Sequence, residues 1–244
     1  MPRFFVTKDA IDDGKIYIKE GDAHHIARSL RMAVGDELTV SDGEGVDYLC
    51  RLTRIRDDEC ECLVLSSETG KTESPVEITL CMAYPKGDKL ETVIQKAVEL
   101  GVSRIIPFES ARCIKRPKAE KIDRQLQRLA KISEEAAKQC GRARIPEVLP
   151  PMSFTAMLDS TSSCELTLFC YEAEEEFSIK NVLSSRPRPA RIAVIVGSEG
   201  GFSPEEAKLA AESGAVTVSL GHRILRCETA PDFALSAISY QYEM

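Results

Sequence analysis

Tryptophan is absent from the 244-residue sequence, and histidine occurs only three times. The nine cysteines form no C-x-x-C pair, and His24 and His25 stand side by side, so no spacing typical of metal ligands is present. An odd number of cysteines, mostly within apolar runs, is typical of small core residues in a reducing compartment. We therefore expect neither a disulfide framework nor a metal site.

Long apolar runs are also missing. No segment approaches the roughly 18 apolar residues that a membrane helix needs, and residues 1–10 have no apolar signal-peptide core. The composition, 43% hydrophobic and 29% charged, is that of an ordinary globular protein. The sequence therefore predicts a cytosolic protein without membrane segments, long enough to bury a core without disulfides.

Net positive charge is missing from the chain as a whole, whose formal charge is −7. Between Arg104 and Arg144, however, twelve Lys and Arg residues stand against five Asp and Glu. A local charge of +7 in an acidic protein is either an electrostatic footprint for phosphates or a solvated helix face. Taken alone, the pattern favours the solvated face.

The N-terminal part is rich in short alternating segments separated by turn residues such as Asp13-Gly14 and Asp42-Gly43. This spacing predicts a small β-barrel, interrupted by one helix over residues 21–32. The polar stretch 69–75 predicts a domain boundary, which gives domains 1–72 and 73–244. The predicted strands of the first domain are 16–18, 37–40, 47–52 and 60–65.

The second part alternates strands with helices, which predicts an α/β domain with a mainly parallel sheet. Residues 88–100 have apolar positions on one helical face, ended by Gly101. Residues 190–196 are almost wholly apolar, as in a buried parallel strand. The other predicted strands are 76–83, 104–108, 166–171 and 216–220, and the other predicted helices are 117–140, 179–185, 204–213 and 231–242.

Two loops follow predicted strands of this sheet, where open α/β sheets bind ligands. The first, 197–204, is glycine-rich, so its backbone can approach a ligand closely. Ser203 is a natural helix N-cap, Pro204 a natural first helical residue, and Glu206 completes a capping box. As a glycine-rich turn alone, the loop is equally well explained as a tight connection.

The second loop, 221–230, carries the apolar pair Ile224 and Leu225 between two arginines. A purely structural loop would bury this pair in the core. A binding loop would instead present it to an apolar ligand surface such as an adenine ring.

Taken together, the ordered set of motifs resembles the RsmE family of 16S rRNA uridine-N3 methyltransferases, in the SPOUT (trefoil-knot) superfamily. The similarity spans essentially the whole chain. The segments that carry it are 2–6, 25–32 with 34–36, 95–102, 135–140, and both loops, 197–204 and 220–230.

The resemblance implies an α/β knotted SPOUT methyltransferase domain, with a mainly parallel sheet and a deep trefoil knot, after an N-terminal PUA-like β-barrel that binds RNA. It implies S-adenosylmethionine as the cofactor, held in the knot loops, and a homodimer. The implied substrate is 16S rRNA or the small ribosomal subunit. The implied reaction is methylation of N3 of a uridine in the decoding region, position 1498 in standard rRNA numbering.

Candidate residues follow from these loops and basic positions. Arg223 and Arg226 are expected to polarise the base or stabilise its anion, and Glu199 and Glu228 are carboxylate candidates. Glu228 has a structural alternative, since an acid at a helix N-terminus is favourable without catalysis. The expected cofactor-binding residues are Val196, Gly197, Glu199, Gly200, Gly201, Leu220, Gly221, Ile224, Leu225, Cys227, Thr229 and Ala230, and the expected RNA-binding residues are Arg3, His25, Arg28, Arg31, Lys86, Lys89, Lys96 and Arg112.

The chain departs from the family pattern at His222 and Cys227, where proline and threonine are expected, and at Pro231 and Asp232. Proline is also frequent where Ser198 stands. His222 offers a base by its chemistry, but a structural role is favoured at a position that departs from the family.

Two alternatives remain open: a SPOUT methyltransferase acting on another RNA such as tRNA, and a non-catalytic RNA-binding protein. A dinucleotide-dependent dehydrogenase is disfavoured because the first strand–helix turn, 84–88, lacks G-x-G-x-x-G.

Overall fold

The computed structural model describes residues 1–114, 116 and 119–244. The chain divides into two compact units. The first contains residues 1–73 and 137–145, and the second contains residues 74–136 and 146–244. Within the described ranges, no helix combines the length and the apolar character needed to span a bilayer.

The first unit contains a six-stranded sheet in the order β1-β4-β5-β6-β3-β2. Neighbouring strands are antiparallel, except that β1 runs parallel to β4. Alternate apolar side chains such as Ile16, Ile18, Leu38 and Val40 point into one buried core. The four predicted strands are confirmed, and the observed bounds are Arg3–Phe5 (β1), Ile11–Asp12 (β2), Lys15–Lys19 (β3), Glu37–Ser41 (β4), Val46–Ile55 (β5) and Glu59–Thr69 (β6).

The helix predicted over 21–32 is shorter than expected. Helix α1 spans Glu20–His24 and continues as a π-helical turn, His25–Ser29. Only Ala23 and Ile26 of this stretch are buried, so it lacks the apolar face that stabilises a longer helix. Arg31 then adopts a positive φ of 51°, a left-handed conformation that cannot continue a right-handed helix.

The second unit contains a parallel sheet in the order β10-β8-β7-β12-β11-β13, with β9 beside β8. Every recorded pairing in this sheet is parallel, which confirms the prediction. The apolar strand β12 (Arg191–Val196) lies between β7 and β11 and is buried from Ile192 onward. The other strands are Glu77–Ala83 (β7), Arg104–Glu109 (β8), Glu147–Val148 (β9), Met152–Ser153 (β10), Leu166–Cys170 (β11) and Val216–Val218 (β13).

Six helices accompany this sheet in the described ranges. The predicted apolar face of α2 is confirmed by its five buried residues, and Gly101 follows the helix with a φ of 85°. Helix α3 begins at Ile122 after a 3₁₀ turn at 119–121, and the earlier predicted positions Pro117 and Lys118 lie outside the described residues. The helices are Lys89–Glu99 (α2), Ile122–Cys140 (α3), Phe154–Thr161 (α4), Ile179–Ser184 (α5), Pro204–Glu212 (α6) and Thr229–Tyr242 (α7).

The sheet order brings three loops together. Strands β12, β11 and β13 are neighbours and parallel, so their carboxyl ends lie at the same edge of the sheet. The residues that follow each of these strands therefore lie next to one another, at the edge where open α/β sheets usually bind ligands.

Candidate functional site

A cavity of about 500 Å³ lies at this edge of the sheet, within the second unit. Its size is that of a small-molecule or cofactor site. The walls come from the ends of β11, β12 and β13, the two predicted loops and the start of α2. The lining residues are Lys89, Cys170, Tyr171, Glu172, Val196, Gly197, Ser198, Glu199, Gly200, Gly201, Ser219, Leu220, Gly221, Arg223, Ile224, Leu225, Arg226, Cys227 and Ala230.

The first loop is anchored by an aromatic cluster below it. The ring of Phe202 is 1% exposed and lies 4.3 Å from that of Phe169, centroid to centroid. It also packs against Phe108 and Phe154 at 6.3 and 6.1 Å. Aromatic burial of this kind is among the larger contributions to core stability, so the loop is fixed to the sheet.

The end of the first loop is fixed by the predicted capping box, which the structure confirms. The Ser203 hydroxyl accepts a hydrogen bond from the Glu206 amide at 3.2 Å, and the Glu206 carboxylate accepts one from the Ser203 amide at 2.9 Å. The other oxygen of Glu206 accepts the Ala111 amide at 2.7 Å. One buried carboxylate therefore links the loop, the start of α6 and the segment after β8.

Two glycines of the first loop are required for different reasons, Gly201 mainly by its backbone conformation and Gly200 by lack of space. Gly201 has a φ of 63°, and a Cβ there would overlap the carboxylate of Glu172. A Cβ on Gly200 would lie 2.9 Å from the backbone oxygen of Arg112, whose guanidinium donates to the Gly200 carbonyl at 3.2 Å. Side chains at these positions would push the loop into the cavity or away from its neighbours.

The second loop is mostly exposed, whereas Ser198 and Phe202 of the first loop are buried. Ile224 is 81% exposed, and Leu225 is half-buried; both line the cavity. The structure thus places the apolar pair at the cavity and not in the core, as expected of a binding loop. Arg223 and Arg226 also line the cavity, and no ion pair to either is found in the described ranges.

Lys89 connects the two loops. Its ammonium lies 3.1 Å from a carboxylate oxygen of Glu199 in the first loop and 3.1 Å from one of Glu228 in the second. It also contacts the sulfur of Cys227 at 3.7 Å, and the Cys227 thiol donates to Glu228 at 3.1 Å. The sequence predicts that Lys89 binds RNA; in the structure its ammonium contacts two carboxylates at the cavity.

These contacts set the protonation states of the four side chains, Lys89, Glu199, Glu228 and Cys227. Burial raises the pKa of Cys227 to about 12, and its bond to Glu228 acts in the same direction. The pKa of Glu228 is lowered, first by the Cys227 thiol and then by the backbone and Lys89. Burial works against ionisation of Glu199, but backbone amides and Lys89 outweigh it and lower its pKa. At neutral pH the group is an ammonium between two carboxylates, beside a neutral thiol.

The cavity brings together the expected cofactor-binding residues, apart from Thr229, which is exposed at the start of α7. His222 is exposed and lies outside the lining residues. Sequence reasoning missed a third wall, formed by Cys170, Tyr171 and Glu172 after β11. The sequence shows an acidic run after the predicted strand 166–171, but it does not show that β11 lies between β12 and β13.

The expected RNA-binding residues have different surroundings. Arg3 is held by both oxygens of Asp47 and by the carbonyl of Arg142, and its side chain is only 13% exposed, which does not favour a phosphate contact. Arg28 forms an exposed two-point ion pair with Asp57, and Lys96 pairs with Glu99.

The remaining expected RNA contacts are open to solvent. His25, Arg31, Lys86 and Arg112 have exposed side chains. The backbone amide of Lys86, not its ammonium, donates to Glu199.

Within the described residues, no cluster of His, Cys, Asp and Glu has the arrangement of a metal site.

Comparison with known proteins identifies the family. The RNA methyltransferase domain family model matches residues 72–239, and the RNA methyltransferase PUA domain model matches residues 18–65. A curated relative from Bacillus subtilis, named ribosomal RNA small subunit methyltransferase E, is 35% identical over the whole chain and 98% of its own length. The chain belongs to the ribosomal RNA small subunit methyltransferase E family.

Two solved structures of similar proteins extend the comparison. The ribosomal RNA small subunit methyltransferase E of Neisseria gonorrhoeae, bound to S-adenosylmethionine, has a TM-score of 0.85 at 32% identity and covers 99% of this chain and 98% of its own. A Legionella pneumophila methyltransferase in complex with the same cofactor has a TM-score of 0.87 at 30% identity and covers 98% of this chain and 96% of its own. The family is therefore one of cofactor-dependent methyltransferases.

The residues of the cavity fit S-adenosylmethionine. The hydroxyl of Ser198 is buried at the cavity without a hydrogen-bond partner among the described residues, a group that a polar ligand would satisfy. Glycine backbone on one wall and the exposed Ile224 on another offer amide groups and an apolar surface, which suit a nucleoside with a charged tail.

Proposed function

We propose that this protein transfers a methyl group from S-adenosylmethionine to N3 of a uridine in 16S rRNA, at the decoding-region position 1498 of the small subunit. The observation that carries the proposal is the cavity of about 500 Å³ built from the two loops at the carboxyl ends of parallel strands. Its glycine wall, its apolar wall and its two arginines, which have no ion pair among the described residues, supply the features that cofactor and acceptor need. Family membership supports the same reaction class.

The cofactor is assigned to the residues that close the cavity. Gly197, Gly200 and Gly201 would offer backbone groups, and Ile224 and Leu225 an apolar face. When bound, S-adenosylmethionine supplies an electrophilic methyl group on a sulfonium. The remaining residues assigned to it are Val196, Glu199, Leu220, Gly221, Cys227 and Ala230 at the cavity, and Thr229, which adjoins Ala230 outside the lining.

The acceptor nitrogen carries a proton that is lost only well above neutral pH, so the protein must stabilise the uracil anion. Arg223 and Arg226 are exposed at the cavity without carboxylate partners among the described residues, and their guanidinium groups suit this role. Glu199 and Glu228 are weak bases because their pKa values are lowered. We therefore assign catalysis to the two arginines, with the proton leaving to water.

RNA contacts are assigned to the exposed basic residues among the candidates: His25, Arg28 and Arg31 in the domain 1–72, and Lys86, Lys96 and Arg112 in the domain 73–244. Phosphate contacts of this kind raise affinity and make it depend on salt. The target base must be unstacked to reach the cavity, which favours a single-stranded or extruded uridine.

Three further properties are part of the proposal. The C-terminal segment forms a deep trefoil knot around the two loops, two copies act as a homodimer, and the protein works in the cytosol. The support is the resemblance of the whole chain to SPOUT methyltransferases.

The experiment is methyl transfer from labelled S-adenosylmethionine to small ribosomal subunits that lack the modification, followed by nucleoside mass spectrometry. We expect label as N3-methyluridine at position 1498. Label at another nucleoside would reject the proposed target. Label in tRNA alone would favour the other RNA methyltransferase function.

The matched variants are Gly201→Ala and Gly214→Ala. Both glycines have positive φ, 63° and 89°, so both substitutions carry a conformational cost of about 1 kcal/mol. Only Gly201 lines the cavity, and a Cβ on Gly214 meets nothing within 4 Å. Methyl transfer and cofactor affinity should fall for Gly201→Ala and stay near the parent value for Gly214→Ala.

A further inference from the structure

We infer that Lys89 is a positioning residue that holds the two cofactor loops in their binding arrangement, rather than a contact to RNA phosphate. The inference rests on the proposed function for what the loops bind. It deepens that function by naming what fixes the loops relative to one another.

The ammonium has the right number of partners for this role. A lysine ammonium carries three N–H donors. Three acceptors lie around Lys89: Glu199 and Glu228 at 3.1 Å each, and the sulfur of Cys227 at 3.7 Å. The ammonium therefore already has two carboxylates and a sulfur of the two loops as neighbours, so its charge is balanced without a phosphate.

The position of Lys89 in the chain is held by the helix that begins there. It is the first residue of α2, whose apolar face is buried against the core of the second unit. The loop before it, from the end of β7, also holds Glu199, because the Lys86 amide lies 3.1 and 3.3 Å from its two carboxylate oxygens. The first loop is thus tied to the α2 start at two points, and the second loop is tied there through Glu228.

The charge balance shows why a neutral residue would not replace Lys89. Glu199 and Glu228 both approach the same nitrogen, so without it two carboxylates would face each other at close range. The side chains are only 35%, 26% and 26% exposed for Lys89, Glu199 and Glu228, which limits screening by solvent. Removing the ammonium would push the loops apart.

The first experiment compares Lys89→Met with the parent and with Lys208→Met, without cofactor, by hydrogen exchange. Lys208 forms one exposed ion pair on α6, with Glu212, and lies outside the cavity. We expect faster amide exchange in residues 197–203 and 219–228 of Lys89→Met and no change in Lys208→Met. Parent-like exchange in both loops of Lys89→Met would overturn the inference, whether or not the protein methylates rRNA.

The second experiment separates the two ligands by titration calorimetry with S-adenosylmethionine and filter binding with an rRNA fragment. For Lys89→Met we expect cofactor affinity to fall about tenfold or more, as for truncating one partner of a partly buried ion pair. RNA affinity and its salt dependence should not change. Parent-like cofactor affinity with weakened, less salt-dependent RNA binding would overturn the inference in favour of a phosphate contact.

Two further variants distinguish positioning from loss of folding. Lys89→Arg keeps the charge and should restore most of the cofactor affinity. Lys89→Met combined with Glu228→Gln removes the facing negative charge and should recover part of it. If Lys89→Met does not fold, Lys89→Gln takes its place. Failure of both Lys89→Arg and the double variant to improve on Lys89→Met would contradict the inference.

Discussion

The two loops that form the cavity are built in opposite ways. The first ends on Phe202, which is buried among three other phenylalanines, and on a capping box that opens α6. The second carries Ile224 and two arginines on its surface, and its recorded side-chain ties are polar ones to Lys89 through Cys227 and Glu228. The first loop is anchored in the core by Phe202, and the second is anchored near its end by the ion pair of Lys89 with Glu228.

This difference assigns separate tasks to the two loops. A loop fixed by core packing presents its backbone with little freedom, which suits recognition of a cofactor that is the same in every turnover. A loop with exposed apolar and cationic groups would offer an apolar face to the cofactor and positive charge to the reacting base. Substitutions in the first loop should therefore change stability and cofactor binding together, whereas those in the second should change cofactor binding or catalysis and leave stability unchanged.

The largest effect is expected from Phe202→Ala. The substitution removes a ring that is 1% exposed, so the free energy of unfolding should fall by about 3–5 kcal/mol, as for other buried aromatic truncations. Its counterpart in the second loop, Ile224→Ala, should leave stability unchanged and weaken cofactor binding. Urea denaturation and calorimetry measure both. Equal destabilisation by the two variants would remove the contrast between the loops.

Arg226→Ala should affect catalysis next most strongly. Loss of one cation that stabilises the developing anion should lower kcat by about 100-fold, with melting temperature and cofactor affinity preserved. The neighbour His222 is exposed outside the cavity, so His222→Ala serves as the control and should retain parent activity. A parent-like kcat for Arg226→Ala would remove this arginine from the proposed chemistry.

A smaller effect is expected at the helix cap. Ser203→Ala and Ser153→Ala each remove a serine that accepts a backbone hydrogen bond at a helix start, at 3.2 Å in both cases. Each should lower stability by about 1 kcal/mol. Only Ser203→Ala should also reduce cofactor affinity, because α6 begins directly after the first loop. Matching affinities in the two variants would show that the cap does not shape the cavity.

The smallest effect concerns pH. The pKa values of Glu199 and Glu228 are lowered in the folded protein, so their contribution to stability is complete above the ordinary carboxyl pKa. It is lost only as the pH falls through the lowered values. Melting curves of the parent and of Glu228→Gln should therefore converge at acidic pH. A stability difference that grows towards low pH would have the wrong sign for this account.

The sequence was sufficient where local pattern and tertiary structure agree. Helix α2 has five apolar residues on one face, and β12 is an unbroken apolar run; both formed as predicted because burial and periodicity point to the same element. The capping box at Ser203 was predicted for the same reason, since its contacts are three residues apart.

Elements that depend on distant partners were not predicted. Strand β1 is three residues long and pairs in parallel with β4, more than thirty positions away. Helix α4 lies in a segment rich in serine and threonine, which favour turns by sequence, and it is stabilised by burial of Phe154, Met157 and Leu158. The third cavity wall and the partners of Lys89 were missed for the same reason, because both depend on strand order.

The most direct measurement of the central claim is hydrogen exchange of the parent protein with and without saturating S-adenosylmethionine. We expect protection concentrated in residues 197–203 and 219–228, with a smaller change at 170–172 and unchanged exchange in residues 1–73. Protection confined to other segments, or none at saturating cofactor, would contradict the claim that these two loops form the cofactor site.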